Sequence, residues 1–91
     1  MPKAKRNVTV GSRVGLHARP ASFFVQAVTA SGQDVTITKK SGDFADGASI
    51  LSVLALAVGH GVELVLDVDG DNAETVADEL AVLLTSDLDA E

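Results

Sequence analysis

The 91-residue chain has no cysteine, no tryptophan and no tyrosine. Without thiols it has no disulfide framework, no thiolate nucleophile and no cysteine-based metal site, which agrees with a reducing compartment. Its three aromatic residues are all Phe, so the core must be built mainly from Val, Leu, Ile and Ala. Lys and Arg total 7 against 13 Asp and Glu, a formal net charge of −6. Neutralising a phosphate backbone needs a basic stripe, and beyond Lys3, Lys5 and Arg6 there is none, so nucleic acid is not the expected partner and a basic protein surface is favoured. The longest apolar stretch, 50–58, is broken by Ser52 and falls far short of the ~20 residues of a membrane helix. No apolar run follows the charged start Met1-Pro2-Lys3-Ala4-Lys5-Arg6, so it does not read as a secretory signal. The expectation is one small domain over 1–91 in the cytoplasm, without membrane insertion, ending in a frayed acidic tail at 87–91.

Hydrophobic residues make up 46% of the chain and charged residues 22%, a globular balance. Two periodicities alternate along it. Val8 and Val10 alternate with Asn7, Thr9 and Gly11, which predicts a strand over 6–12. Ala21, Phe24, Val25 and Val28 then recur at helical spacing, with Phe23 and Ala27 widening the stripe and Gly32 placed to stop the helix. Val35 and Ile37 mark a second strand, and Lys40-Ser41-Gly42 turns into a short third strand near Phe44. Ser49 is a good N-cap for a helix from Ile50 to about Val58, stopped by Gly59-His60-Gly61. Val62, Leu64, Leu66 and Val68 alternate with Glu63, Val65, Asp67 and Asp69 in a strand with one wet face. Asp71-Asn72-Ala73-Glu74 resembles a capping box ahead of a third helix, whose apolar stripe is Ala73, Val76, Ala77, Leu80, Leu83 and Leu84. The order β-α-β-β-α-β-α predicts an α/β (α+β) open-faced sandwich, a four-stranded antiparallel sheet with three helices on one face.

Chemistry concentrates in Gly15-Leu16-His17-Ala18-Arg19-Pro20-Ala21. It places a histidine and an arginine at the start of a helix, where free amides and the positive end of the helix dipole receive an anion. A neutral imidazole can attack a phosphoryl group, and the arginine fork can grip its oxygens. Pro20 fits the first helical turn, where its missing N–H costs nothing. Gly15 and Pro20 restrict the backbone on either side of His17, and Leu16 can anchor the loop in the core. The alternating acids Asp67, Asp69 and Asp71 do not make a calcium loop, because the glycine stands at the wrong position and a strand precedes it. His60 between two glycines reads as a turn residue, and no metal site or cofactor is expected.

GLHARPA and the element order together resemble the HPr family, the histidine-containing phosphocarriers of the bacterial phosphoenolpyruvate-dependent sugar phosphotransferase system. The resemblance implies that His17 accepts a phosphoryl group on Nδ1 from phosphorylated enzyme I and passes it to EIIA domains of sugar permeases. It further implies that Arg19 stabilises the group, that Ala18 and Pro20 form the helix start and backbone phosphate site, and that the chain is a carrier, not an enzyme. Ser49 ahead of Ile50 and Leu51 is similar to the family's regulatory serine, which brings in a serine kinase or phosphatase and transcriptional regulators as further partners. A phosphoserine there would meet a positive helix end and add negative charge. Ile50, Leu51 and Leu54 correspond to the family's docking patch. Three departures stand out: Asp46-Gly47-Ala48 precedes the serine where many members carry a basic residue, the turn at Lys39 to Gly42 is about one residue longer, and the first helix shows Ser22, Gln26 and Thr29 where several carry Lys or Arg. Docking should then lean on the apolar patch and Arg19 more than on steering.

Three other readings remain open at this point. One is a paralogous carrier of a nitrogen-linked or fructose-specific branch. Another is a binding protein controlled at Ser49 in which His17 is idle; keeping the nucleophile weighs against it. The last is a Ser-His hydrolase, which lacks an assigned acid and oxyanion hole. A small carrier must expose its site, which favours a monomer.

Overall fold

The computed structural model describes residues 2–86, so the acidic tail expected at 87–91 lies outside the described residues. In chain order it forms β1 (Lys3–Thr9), α1 (Ala18–Ser31), β2 (Asp34–Lys39), β3 (Phe44–Asp46), α2 (Ile50–Ala55), β4 (Glu63–Asp69) and α3 (Ala73–Thr85). The strands make one antiparallel sheet in the order β1-β4-β2-β3. The predicted order and the open sandwich are those observed.

Register follows from the alternation. Val8 pairs with Leu64 and Ala4 with Val68, while Val68 and Leu66 face Val35 and Ile37 across the next ladder. All of these are buried on one face, where Phe24 and Val28 of α1, Val53 of α2, and Val76, Ala77 and Leu80 of α3 meet them. Burying each large aliphatic or phenyl side chain contributes about 1.5–3 kcal/mol. The opposite face carries cross-strand ion pairs, Lys5–Asp67 at 3.8 Å and Lys3–Asp69 at 4.0 Å. Exposed pairs of this kind are worth only about 0–1 kcal/mol each.

Arg6 breaks the alternation. It lies opposite Leu66, between Ala4 and Val8 on the inward face of β1, where an apolar residue would be expected. Its guanidinium reaches across to α3, with Nε donating to Asp78 at 3.0 Å and Nη2 to Glu74 at 3.1 Å. The bond to Asp78, then that to Glu74, raises the Arg6 pKa above its ordinary value. Because the folded value is the raised one, this contribution is fully present below the unfolded pKa and is lost only as pH rises through the folded one. It is therefore constant across the physiological range, which lies well below the arginine pKa.

The structure corrects four sequence expectations. β1 starts and ends three residues earlier than the Val8–Val10 pattern implied, because pairing with β4 recruits Lys3 and Lys5 opposite Asp69 and Asp67. α2 stops at Ala55, not near Val58. Leu56 is its C-cap, and Ala57 is exposed with φ of 57°; Leu56 and Val58 are buried from non-helical backbone. The capping box does not form: α3 is capped at Asn72 without a side-chain bond, and the Asn72 N–H donates instead to Gln33 Oε1 at 3.1 Å. Finally, Phe23 does not widen the buried stripe of α1 but stands 39% exposed.

Candidate functional site

The backbone between β1 and α1 is held from several sides. Ser12 is buried, and its carbonyl accepts from the Gly15 N–H at 3.0 Å and from His60 Nδ1, also at 3.0 Å. A carbonyl has no proton to give, so His60 must carry one on Nδ1. Gly15 takes φ of 70°, a conformation glycine adopts without penalty. Leu16 is 2% exposed, and its N–H donates to the Val58 carbonyl at 2.9 Å. The Val58–His60 segment thus braces the loop that presents His17.

His17 is the N-cap residue of α1, with φ of −132° and ψ of 163°, and its side chain makes no capping hydrogen bond. It is exposed, so its imidazole is free for other work. Three consequences follow from the residues after it. A helix start leaves the first-turn amides without intrahelical acceptors, here those of Ala18 and Arg19. Pro20 has no N–H, and the Ala21 N–H already points to the His17 carbonyl at 3.5 Å. The free donors are therefore concentrated next to His17, with no acidic residue in the first turn of the helix to compete for them. Arg19 is exposed, and its guanidinium carbon lies 5.6 Å from the centroid of the Phe23 ring.

The second predicted site is on α2. Ser49 caps this helix in extended backbone (φ −108°, ψ 109°), its Oγ accepting from the Ser52 N–H at 3.3 Å and its carbonyl from the Val53 N–H at 3.0 Å. Asp46 shapes the approach through bonds to the Ala48 and Ser49 amides. Ile50, Leu51 and Leu54 are 38%, 77% and 37% exposed, while Val53 is fully buried. α2 packs against α1, but among the described residues no hydrogen bond joins Ser49 to His17. His17 and Arg19 are thus brought together at one helix start, and Ser49 with the apolar trio forms a separate station on the neighbouring helix. Two participants escaped the sequence reading, Phe23 and the bracing backbone at Val58. The i, i+4 spacing of Arg19 and Phe23 was a usable signal for the first; nothing local announced the second.

A model described as the PTS HPr component phosphorylation site matches residues 4–86. The chain belongs to the HPr family. It is 48% identical over 86 residues to the phosphocarrier protein HPr of Streptomyces coelicolor, covering 94% of this chain and 92% of that one. To the HPr of Haloferax volcanii it is 40% identical over 83 residues, covering 90% and 93%. The crystal structure of HPr from Bacillus anthracis superposes with a TM-score of 0.85 at 32% identity, over 90% of this chain and 96% of that one. As an HPr-family member the chain is a phosphocarrier of the phosphotransferase system, a carrier and not a catalyst.

Proposed function

We propose that this HPr-family chain carries the phosphoryl group on His17 Nδ1, taking it from phosphorylated enzyme I and giving it to EIIA domains of sugar permeases. The supporting observation is that His17 is the N-cap residue of α1 and its side chain makes no capping hydrogen bond, beside the Ala18 and Arg19 amides that a helix start leaves without intrahelical acceptors. In the transfer the Nδ1 lone pair attacks phosphorus while the bond to the donor breaks and its electron pair leaves with the donor. The proton on His17 Nε2 stays in place. The phosphoryl oxygens are received by the Ala18 and Arg19 amides, the helix dipole and the Arg19 guanidinium, which neutralise charge without moving far. Onward transfer reverses the same steps toward the next acceptor.

In this reading Ile50, Leu51 and Leu54 dock the partners, because they form an exposed apolar group on a helix packed beside α1. Ser49 Oγ is a regulatory phosphorylation site, where a dianionic group would favour the helix end and repel acidic partners. The protein works in the cytoplasm as a monomer; among the described residues no helix is long and apolar enough to cross a membrane.

The test is incubation with phosphoenolpyruvate and enzyme I, followed by acid treatment of the labelled chain. Acid-labile label that vanishes in His17→Ala is the expected result. Acid-stable label, or undiminished label in His17→Ala, would overturn the assignment.

A further inference from the structure

We infer that Phe23 positions the Arg19 guanidinium for the phosphoryl group, a role that rests on the carrier reading above. A Phe in an amphipathic helix normally turns inward, as its neighbour Phe24 does with no exposed area, yet Phe23 is 39% exposed. It lies one helical turn beyond Arg19, and the guanidinium carbon sits over its ring at 5.6 Å from the centroid. Among the described residues Arg19 has no carboxylate within ion-pair distance. This combination has a chemical consequence. The N–H donors of a guanidinium radiate in its plane, whereas the ring attracts its face. A ring therefore restrains the group while leaving every donor and the full charge for an incoming anion. A carboxylate in the same place would occupy two donors and cancel the charge. Phe23 has no atom that can bond a phosphoryl oxygen, so its effect passes through Arg19.

The experiment measures single-turnover transfer from phosphorylated enzyme I to the chain for wild type, Phe23→Leu and Phe23→Tyr, and repeats Phe23→Leu in an Arg19→Ala background. Phe23→Leu should slow transfer about two- to fivefold, the range of an exposed cation–π contact. Phe23→Tyr should keep the wild-type rate, and in Arg19→Ala the Leu substitution should change nothing further. Wild-type transfer by Phe23→Leu would overturn the proposal. So would an equal slowing in the Arg19→Ala background, which would make the ring a direct partner contact. NMR of the Arg19 Nε–H group checks the contact without any donor enzyme: Phe23→Leu should remove the ring-current shift, and an unchanged resonance would overturn the positioning role. If wild type takes no acid-labile label while that shift is intact, the carrier reading fails and the ring–guanidinium contact does not.

Discussion

Gly15 and Gly32 share a positive φ, 70° and 71°, but not one environment. A Cβ on Gly32 would meet nothing within 4 Å, whereas one on Gly15 would overlap the Val58 carbonyl oxygen and lie 2.7 Å from Gly59 Cα. Comparing the two Gly→Ala variants therefore separates the cost of the left-handed conformation from the cost of pushing the brace away from the His17 loop. For Gly32→Ala the conformational penalty of about 1–2 kcal/mol is partly offset by about 0.4–1 kcal/mol from a stiffer unfolded chain, leaving about 1 kcal/mol. Gly15→Ala adds overpacking of about 1–3 kcal/mol and loss of the Leu16–Val58 hydrogen bond, about 0.5–1.5 kcal/mol. Its total is about 3–5 kcal/mol, a large share of the stability of a small domain. Urea titration followed by circular dichroism reads both differences directly. In thermal scans Gly32→Ala should lower Tm by about 4–8 °C and Gly15→Ala by roughly 15–30 °C. Two variants within about 0.5 kcal/mol of each other would refute the claim that the Val58–Gly59 backbone braces the loop.

The reverse substitution at Ala57, which holds φ of 57° in solvent, should stabilise. Ala57→Gly gains about 0.5–1 kcal/mol once the looser unfolded chain is counted, visible as a Tm rise of a few degrees, and a fall in Tm would contradict the reasoning. Ser49→Ala should cost about 1 kcal/mol through the lost cap to the Ser52 N–H, while Ser49→Asp should keep most of it; equal Tm values for wild type and Ser49→Ala would show the cap to be worthless.

Legibility in the sequence tracks how local each determinant is. The strands around Val35, Ile37, Leu64 and Leu66 were readable because one buried face imposes alternation. Gly32 was readable as a helix stop because its left-handed backbone is a property of that residue. The start of α1 at His17 and Pro20 was readable for the same reason. What failed depends on distant groups. Asn72 takes its amide partner from Gln33, 39 residues away, so a local capping box was an attractive but wrong solution. The pattern overstates α2 because Leu56 and Val58 continue an apolar run that the core uses from non-helical backbone. Hydrophobicity alone places Phe23 inward, and only the cation four residues earlier hints at a different occupation. The pairing of β1 with β4 extended the first strand back to Lys3, which no alternation within 1–12 could announce.

One consequence of the strand order concerns the timing of folding. β4 lies between β1 and β2 in the sheet yet follows both in the chain, with α2 also made before it. Until Glu63–Asp69 has left the ribosome, the nascent chain can form helices and the short β2–β3 hairpin but no sheet. The Leu16 anchor comes almost as late, since its acceptor belongs to Val58, just ahead of β4. The loop bearing His17 is among the first segments synthesised and among the last to acquire its shape, so a ribosome-bound fragment ending before β4 would display the histidine without the scaffold that gives it a use.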